Sequence, residues 1–294
     1  MIQKINVIDL NNLDINDTNL DLSATIGAFD GIHLGHKKLI ESLDKNKCAF
    51  TFDTHPDFLL NKRCDNGYIN TLDEKIEILL SLGIEYIFII PRDILKLSYD
   101  KFNLVLKRLN VKKISVGSDF RYGAGALGSY KTLKSFDLTV VPFLTYENEK
   151  ISSSFLRKEL EQGNIELVNS LLVRPFSVSG KIIHGHEVGK TLGFRTANLM
   201  NNKYGNLRKG VYKAIATIDN KDYLAICNYG INPTINTIDS PRFEIHIINF
   251  DELIYDKEIK LTLLCFIRDE VKFNNQDELI KQIKKDIEVV IKWK

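Results

Sequence analysis

The chain has 294 residues, of which 44% are hydrophobic and 27% charged, and its formal net charge is +2. This length allows two domains with separate cores. The near-neutral charge argues against broad electrostatic binding to nucleic acid or to an anionic membrane surface. We therefore expect neither nucleic acid nor a membrane among the partners of this protein.

The cysteines predict a reducing compartment. They form no C-x-x-C pair and lie mostly in apolar runs such as "CAFTF" and "LLCFI", which is typical of buried free thiols. The first residues lack the apolar core of a signal peptide, and no run of about 18 apolar residues occurs. These patterns predict a cytoplasmic protein without a membrane segment. The cysteines are Cys48, Cys64, Cys227 and Cys265.

Strand and helix patterns alternate through the first half of the chain. The strand-like runs "SATIGAF" and "KCAFTF" enclose a helix from about Leu34 to Asp44. The stretch "TLDEKIEILLSLG" predicts a second helix, because Thr71 and Glu74 have capping-box spacing and Gly83 suits the position after the last turn. Further runs, "EYIFII", "YDKFNLVLKRL", "KKISVG" and "LTVVP", continue the alternation. This order predicts an α/β domain with a parallel sheet, helices on both faces and ligands at the carboxyl ends of the strands. The apolar stripe of the second helix consists of Leu72, Ile76, Leu79 and Leu80.

The pattern changes after Ile151. "SSFLRKELEQGN" and "IELVNSLL" predict two short helices, and "VRP" indicates a boundary, so we expect domains at residues 1–173 and 174–294. The second of these contains strand-like runs, including a hairpin formed by "GVYKAIATI" and "DYLAICNYG". Short strands followed by a last amphipathic helix predict a small β-barrel closed by a C-terminal helix. The apolar stripe of that helix consists of Leu279, Ile283, Ile287 and Ile291.

The segment "TIGAFDGIHLGH" (residues 25–36) places two histidines at the start of a predicted helix. His33 and His36 flank Gly35, where unpaired backbone N–H groups and the positive end of the helix dipole favour anions. Two imidazoles add donors whose protonation responds to a bound polyphosphate. The residues alone leave three interpretations open: a phosphate cradle, a surface turn, and half of a metal site that lacks a third ligand nearby.

Two further segments of the first half are suited to phosphate binding. "VGSDFRYGAGALGS" combines four glycines with an arginine after a predicted strand, which allows close approach of a ligand to the backbone. "KISSSFLRK" places serines at a helix start and Arg157 on the first turns, where both can bind phosphate oxygens. A flexible surface loop and a simple helix cap are the alternative interpretations.

In the second half, the glycine-rich segment "GKIIHGHEVGKTLGFRTANL" contains most of the candidate ligand-binding residues. Thr196 and Asn198 lie two residues apart and so face the same side of an extended segment, where hydroxyl and amide oxygens suit Mg²⁺. The alternatives are a glycine-rich hairpin and a zinc site at His184 and His186, which have no cysteine nearby. Alternation in "RFEIHIINF" turns Glu244 away from the core, toward solvent or toward a substrate cavity.

Taken together, the motifs resemble a known enzyme family. H-x-G-H after the first strand with S-S-[ST]-x-x-R near the end of the domain resembles the nucleotidylyltransferase superfamily. "FTFDTHP" and "GSDFRYG" narrow this resemblance to the adenylyltransferase domain of bifunctional riboflavin kinase/FAD synthetases. R-T-A-N at residues 195–198 resembles the P-T-A-N signature of their riboflavin kinase domain, and "NYGINPT" and "RFEIHIINF" also match. The resemblance runs from about residue 20 to residue 290 and implies a Rossmann-like nucleotidylyltransferase domain followed by a kinase barrel.

The resemblance implies roles for the residues that match the family motifs. His33, His36 and Arg157 would hold ATP phosphates, as catalytic residues. Glu244 would be the general base that takes the proton from the ribityl hydroxyl. The other implied ATP and phosphate contacts are Gly27, Phe29, Asp30, Gly31, Gly35, Ser152, Ser153, Gly185, Gly189 and Gly193. The implied flavin and nucleotide pocket comprises Asp53, Pro56, Asp119, Phe120, Tyr122, Gly123 and Asn228. The implied metal ligands are Thr196 and Asn198.

The activity implied by the resemblance has two steps. Riboflavin and ATP give FMN, and FMN and ATP then give FAD and pyrophosphate, with Mg²⁺ accompanying ATP and no tightly bound redox cofactor. The expected partners are therefore riboflavin, FMN and ATP, and the expected state is a monomer or weak oligomer.

Four positions depart from the family pattern: Ala28, Arg92, Arg195 and Asn232. Because Arg195 and Asn232 lie in the kinase half, one alternative is that only FAD synthesis is efficient. Another alternative is a flavin or nucleotide sensor without turnover. A nucleic-acid ligase would also share H-x-G-H, but the near-neutral charge argues against it.

Overall fold

The structure is a computed structural model that describes residues 6–9, 20–53, 68–183, 194–200, 207–230 and 242–292. The chain divides into two compact units, Met1–Phe155 and Leu156–Lys294. Among the described helices, none is long and apolar enough to cross a membrane. In the same ranges, no three His, Cys, Asp or Glu side chains come together as a possible metal site.

A six-stranded parallel sheet forms the centre of the first unit. Its strands are β1 (Asn6–Asp9), β2 (Leu22–Ile26), β3 (Lys47–Thr51), β4 (Tyr86–Ile89), β5 (Val111–Gly117) and β6 (Asp137–Val141). Their spatial order is β1-β4-β3-β2-β5-β6, and each neighbouring pair is parallel. In the core, Phe50 of β3 and Phe88 of β4 stack with ring centroids 4.6 Å apart. The predicted parallel α/β architecture is therefore confirmed, and β1 is an edge strand that the sequence pattern did not indicate.

The helices described in the first unit follow strands of this sheet. They are α1 (Leu34–Glu41), α2 (Leu72–Ser81) and α3 (Tyr99–Arg108). The predicted capping box of α2 is confirmed, because Thr71 Oγ1 accepts the Glu74 N–H at 3.2 Å and Glu74 Oε2 accepts the Thr71 N–H at 2.9 Å. Gly83 takes a φ of +86° after the last turn, as its position predicted. Shorter elements are the 3₁₀ turns Arg92–Lys96, Ala124–Ala126 and Tyr130–Thr132 and the two-residue strands Arg121–Tyr122, Gly128–Ser129, Thr145–Tyr146 and Glu149–Lys150.

The end of α1 differs from the prediction. The helix ends at Glu41, three residues before the expected Asp44. The reason is local, because the Ser42 hydroxyl donates to the Leu39 carbonyl oxygen at 2.8 Å and so competes with continuation of the helix. Leu43 is then buried in the core instead of extending the helix.

The buried face of α2 also differs from the predicted stripe. Its buried residues are Lys75, Ile78 and Leu79, which share one face at spacings of three and four. Of the predicted stripe only Leu79 is fully buried. An apolar pattern alone could not select this face, because one of its three members is a lysine. The half-buried members of the predicted stripe are Leu72, Ile76 and Leu80.

The second unit contains a closed antiparallel barrel. Its strands are β7 (Ser177–Ile183), β8 (Ala197–Met200), β9 (Gly210–Ile218), β10 (Lys221–Gly230), β11 (Arg242–Ile247) and β12 (Glu258–Arg268). The order around the barrel is β7-β8-β11-β10-β9-β12, and β12 closes it by pairing with β7. The predicted hairpin turns at Asp219 and Asn220, whose φ values of +49° and +61° are typical of a type I′ turn. The helices α4 (Ser153–Gln162), α5 (Ile165–Leu171) and α6 (Gln276–Lys292) complete the fold, so the predicted barrel with its C-terminal helix is confirmed.

The stripe predicted for α6 is displaced in the structure. The buried residues of this helix are Asp286 and Val290, while Ile291 is exposed. Asp286 is buried because its carboxylate pairs with the Arg268 guanidinium of β12 through three hydrogen bonds of 2.7–3.1 Å. The buried face of α6 therefore contains an ion pair, which apolar periodicity does not register. The remaining stripe residues, all half-buried, are Leu279, Ile283 and Ile287.

The predicted burial of the cysteines as free thiols is confirmed at the positions that the structure describes. Cys48, Cys227 and Cys265 are buried free thiols. Burial raises the pKa of each of these thiols, so they stay protonated at neutral pH. Cys64 lies outside the described residues.

Candidate active sites

The segment between β2 and α1 forms a turn that caps α1 with a histidine. His33 is the N-cap, and its Nδ1 accepts the Gly35 N–H at 3.1 Å. His36 completes a capping box, because its Nδ1 accepts the His33 N–H at 3.4 Å. The two rings stack with centroids 3.8 Å apart and planes 22° apart. A Cβ at residue 35 would lie 3.0 Å from the His33 ring, so Gly35 makes room for this arrangement.

Both imidazoles are neutral at physiological pH. His33 is 7% exposed, and burial together with the charge of Lys150 lowers its pKa to about 4. Burial likewise holds the pKa of His36 well below its usual range; neighbouring positive groups lower it further, and a hydrogen bond with the Gly31 backbone opposes them. Because Nδ1 of His33 accepts a hydrogen bond, the ring proton lies on Nε2. His33 therefore presents a neutral N–H donor at the start of α1.

The turn between β2 and α1 is strained and tightly packed. Phe29 is buried with a φ of +51°, and its ring lies 5.1 Å from that of His36. Gly31 has a φ of +59°, and a Cβ there would lie 2.7 Å from the Ile69 side chain. Gly27 continues the strand, since its N–H donates to the Phe50 carbonyl oxygen at 3.0 Å. Backbone strain of this kind is common at sites where the backbone must approach a ligand.

Asp30 links this turn to two distant segments. Its carboxylate is 2% exposed, and Oδ1 accepts the N–H groups of Ile69 at 2.8 Å and Asn70 at 3.3 Å. Its carbonyl oxygen accepts the Ser153 hydroxyl at 2.6 Å. The structure therefore brings Ser153 against the histidine turn from 123 residues away. The Asp30 side chain holds the turn in place, and its part in ATP binding stays a prediction.

Two more predicted residues belong to the beginning of α4. Ser152 caps the helix, because its Oγ accepts the Phe155 N–H at 3.2 Å. Arg157 lies one turn after Ser153, on the same face of α4, and is 3% exposed. Arginine is seldom buried this deeply unless its guanidinium is bound by acceptors.

The glycine-rich segment after β5 holds four predicted pocket residues. Asp119 is exposed and forms an ion pair with Lys150. The rings of Phe120 and Tyr122 stack with centroids 5.2 Å apart. Gly123 has a φ of +74° in the turn that follows. These residues form one aromatic and charged edge of the first unit.

The Tyr122 hydroxyl is committed to the protein interior. It donates to Asn103 Oδ1 at 2.8 Å and lies 2.9 Å from Thr132 Oγ1, and burial raises the pKa of the phenol. The Tyr122 hydroxyl is therefore occupied within the protein, the ring is buried in the core, and the part of Tyr122 in a flavin or nucleotide pocket stays a prediction.

The remaining residues singled out from the sequence lie in several segments. Asp53 is exposed just after β3, and the Ala28 carbonyl oxygen accepts the Thr51 hydroxyl at 3.2 Å. Arg92 begins a 3₁₀ turn. The residues singled out from the sequence that lie outside the described part of the chain are Pro56, His184, Gly185, His186, Gly189, Gly193 and Asn232.

Sequence reasoning missed one buried charge in this region, Lys75 of α2. Its Nζ donates to the Phe52 carbonyl oxygen at 2.9 Å and to Thr51 Oγ1 at 3.4 Å. The available signal was its position, three and four residues before the buried Ile78 and Leu79 on one helix face.

In the second unit, polar residues form a row across three neighbouring strands. Asn198 of β8 and Asn228 of β10 both lie directly opposite Glu244 of β11, so the three side chains share a face of the sheet. Glu244 Oε1 accepts the Thr196 hydroxyl at 2.7 Å. The inward-facing neighbours Phe243 and Ile245 are buried, so this row lies on the outer side of the barrel.

The row is suited to a hard divalent cation. Hydroxyl, carboxamide and carboxylate oxygens of Thr196, Asn198 and Glu244 are the donor type that Mg²⁺ prefers, and Asn198 is buried. Sequence reasoning missed Glu270, whose Oε1 accepts from the Asn228 amide at 3.0 Å and fixes that amide.

Arg195 stands beside this row and is held away from it. Its Nη1 donates to the Asp251 carbonyl oxygen at 2.7 Å, and its own carbonyl oxygen accepts from His246 Nδ1 at 2.9 Å. A pocket of about 90 Å³ lies next to Arg195 and Thr196 and is lined by apolar side chains that include Phe250. Through its hydrogen bond to Asp251, the Arg195 guanidinium therefore fixes the segment after β11.

Family models match both halves of the chain. The FAD synthetase model matches residues 15–155, and the riboflavin kinase model matches residues 172–294. A bifunctional riboflavin kinase/FMN adenylyltransferase of Buchnera aphidicola subsp. Schizaphis graminum is 37% identical, and the match covers 94% of this chain and 95% of that protein. The chain belongs to the bifunctional riboflavin kinase/FMN adenylyltransferase family. A member from Bacillus subtilis is 35% identical, with 91% of each chain covered.

A solved structure shares the fold of this family member over nearly its whole length. It is titled a macrolide-efflux protein from Streptococcus pneumoniae, has a TM-score of 0.89 and 30% identity, and covers 99% of this chain and 100% of its own. That title names an activity that neither family model nor the two curated relatives name.

Proposed function

We propose that this protein makes FAD from riboflavin in two ATP-dependent steps. Residues 174–294 phosphorylate riboflavin to FMN, and residues 1–173 transfer the adenylyl group of a second ATP to FMN. The observation that carries the proposal is that each unit brings together polar groups suited to phosphates or to the metal ion that accompanies them. These are the histidine cap of α1 with Ser153, and Thr196 bound to Glu244.

In adenylyl transfer, the first unit positions and neutralises phosphates. A phosphate oxygen of FMN attacks the α-phosphorus of ATP, an O–P bond forms, and the bond to pyrophosphate breaks. Backbone N–H groups at the start of α1 and the Nε2–H of His33 supply donors to the phosphate oxygens. Because His36 stacks on His33 and accepts its backbone N–H, it fixes the direction of that donor. Arg157 would clamp a phosphate through its planar fork.

In the kinase step, Glu244 is the general base. Its carboxylate takes the proton of the ribityl hydroxyl as the oxygen attacks the γ-phosphorus, and ADP leaves. The 2.7 Å hydrogen bond from Thr196 holds Oε1, so Oε2 is the oxygen suited to accept that proton. Asn228, fixed by Glu270, lies opposite Glu244 on the neighbouring strand, and in this proposal its amide orients the flavin side chain.

Mg²⁺ accompanies ATP in this proposal. Thr196 and Asn198 would hold the ion, which neutralises the charge of the transferring phosphates. No tightly bound redox cofactor is required by either step. We further propose that the protein is cytoplasmic, is a monomer or weak oligomer, and binds neither nucleic acid nor membranes, as the dispersed charge and the free thiols support.

Separate assays of the two reactions test the proposal. The purified protein receives riboflavin, ATP and Mg²⁺, or FMN, ATP and Mg²⁺, and the flavins are separated by chromatography. The substitution Glu244→Gln should abolish FMN formation and preserve FAD formation from FMN. The substitution His36→Ala, which removes half of the capping box, should do the reverse. Absence of any flavin product from the unmodified protein, or loss of both activities in each variant, would contradict the assignment.

A further inference from the structure

Lys75 is a buried cation that neither proposed reaction uses directly. It lies on α2 and is 5% exposed, and among the residues that the structure describes it is the single lysine in the protein interior. Burying an ammonium group is unfavourable unless the group is bound by acceptors. The burial of the Lys75 ammonium group therefore has to be explained by the groups that bind it.

The contacts of Lys75 join three segments that build the first site. Its Nζ donates to the Phe52 carbonyl oxygen at 2.9 Å, just beyond the end of β3. It also donates to Thr51 Oγ1 at 3.4 Å, and that hydroxyl donates in turn to the Ala28 carbonyl oxygen at 3.2 Å. The ammonium group thus connects α2, the end of β3 and the turn that leads to the histidine cap.

Charged and titratable groups of the first site lie close to Lys75. Carboxylates face it from the turn after β2, at Asp30, and from the end of β3, at Asp53. His36 faces it from α1, and the lysine charge contributes to keeping that imidazole neutral. Burial lowers the pKa of Lys75 to about 8, so about nine-tenths of the molecules carry the charge at pH 7.

We propose that Lys75 is a positioning residue for adenylyl transfer, which holds the turn after β2 through Thr51 and places a fixed positive charge behind the site of the ATP phosphates. The inference rests on the proposed function of the first unit. The charge is already in place before ATP arrives, so no reorganisation is needed when the phosphates bind. The Asp30 and Asp53 carboxylates offset part of this charge, and because the ammonium group is shielded from water, the part that remains acts on the phosphates with less screening than the charge of an exposed lysine.

A purely structural role would predict a different outcome from substitution. Methionine has a similar length and an apolar tip, so Lys75→Met fills the same space and removes the buried charge. If the lysine serves only to fill and fasten the fold, stability and both flavin activities should change little or fall together with unfolding. If it serves adenylyl transfer, binding of ATP should weaken in a folded protein.

The test compares Lys75→Met and Lys75→Arg with the unmodified protein and with Lys107→Met, an exposed lysine of α3. FAD formation from FMN is measured with varied ATP and then with varied FMN, and FMN formation is measured on the same samples. We expect Lys75→Met to raise KM for ATP by about 10- to 100-fold, a change equivalent to about 1.4–2.8 kcal/mol. KM for FMN and the kinase rate should stay within about twofold. Lys75→Arg should recover most of the loss, and Lys107→Met should match the unmodified protein.

A spectroscopic signature accompanies the kinetics. The groups that act on His36 are His33, Lys75 and Lys150, with the Gly31 backbone opposing them, so removing the Lys75 charge should raise the pKa of His36 in a proton NMR titration. Circular dichroism and thermal unfolding report whether the first unit is folded.

Three results would overturn the inference. One is a Lys75→Met variant whose KM for ATP stays within about twofold of the unmodified value. Another is unfolding of the first unit in both Lys75 variants, which would assign the side chain to folding. The third is equal loss of the kinase and adenylyl activities. An unmodified protein that forms FMN but no FAD would instead overturn the proposed function of the first unit, and with it this inference.

Discussion

The N-cap histidine, His33, makes the stability of the first unit fall at acidic pH. Substitution of this residue should remove its part of that fall. His33 is buried, and its Nδ1 caps α1 by accepting the Gly35 N–H. Asparagine is among the preferred N-cap residues, and its side-chain oxygen occupies nearly the place of Nδ1. The substitution His33→Asn should therefore keep the cap and remove one of its two titrating groups, while His36 titrates in both proteins.

The expected magnitude follows from the two pKa values of His33. The value is about 4 in the folded protein and 6.5 in an unperturbed imidazole. Between these values the unfolded chain binds more protons than the folded one, so stability falls as pH falls through that window. A difference of about 2.5 pH units, at 1.36 kcal/mol each, gives a total loss of about 3.4 kcal/mol below pH 4. At pH 5 the loss relative to pH 7.5 is about 2 kcal/mol.

Urea unfolding at pH 7.5 and pH 5 measures this loss in the first unit alone. The amide NMR signals of Ala24 and Ile26, both buried in β2, report the first unit separately from the second. The unmodified protein should lose about 2 kcal/mol more than His33→Asn between the two pH values. A difference under about 0.5 kcal/mol, or a His33 imidazole that titrates near 6.5, would refute the reasoning. Lys150→Met should raise the pKa of His33, because the Lys150 charge lowers it.

Three other substitutions test the packing. Gly31→Ala should destabilise the first unit by about 2–4 kcal/mol in urea unfolding, because a Cβ would meet Ile69 at 2.7 Å and φ is +59°; a loss under 1 kcal/mol would contradict this. Asp286→Ala should cost the second unit about 2–4 kcal/mol by leaving the Arg268 guanidinium unpaired, and a thermal midpoint equal to that of the unmodified protein would exclude that explanation. Arg195→Ala should speed amide exchange in the segment after β11 by several-fold and change stability by less than about 1 kcal/mol; unaltered exchange there would mean that the guanidinium does not fasten it.

Local sequence rules predicted most elements of this fold. The capping box at Thr71 and Glu74 and the turn at Asp219 and Asn220 follow from neighbouring residues alone, because their hydrogen bonds and backbone angles are made within a few positions. Strand alternation in β11 likewise predicted that Glu244 turns away from the buried face.

The errors in predicted helix faces have a common cause. In α2 and α6 the buried face contains a charged residue, Lys75 in one and Asp286 in the other. A pattern based on hydrophobicity assigns such residues to solvent. Their burial depends on acceptors or donors supplied by other elements, namely the end of β3 and Arg268.

The candidate sites show the same difference between what local sequence rules predict and what long-range contacts decide. The sequence by itself determined which residues could serve phosphates or their metal ion, including the histidine pair and Ser153 for phosphates and Thr196 for Mg²⁺, because residue type and local spacing are sufficient for that. Only the tertiary structure decided that Ser153 binds the turn at Asp30, that Thr196 holds Glu244, and that a lysine stands behind the histidines. Each of these contacts joins residues at least 39 positions apart, and no local rule fixes a distance across such a separation. The neutral state of the imidazoles was decided in the same way, because burial, a property of the assembled fold, is what lowers their pKa.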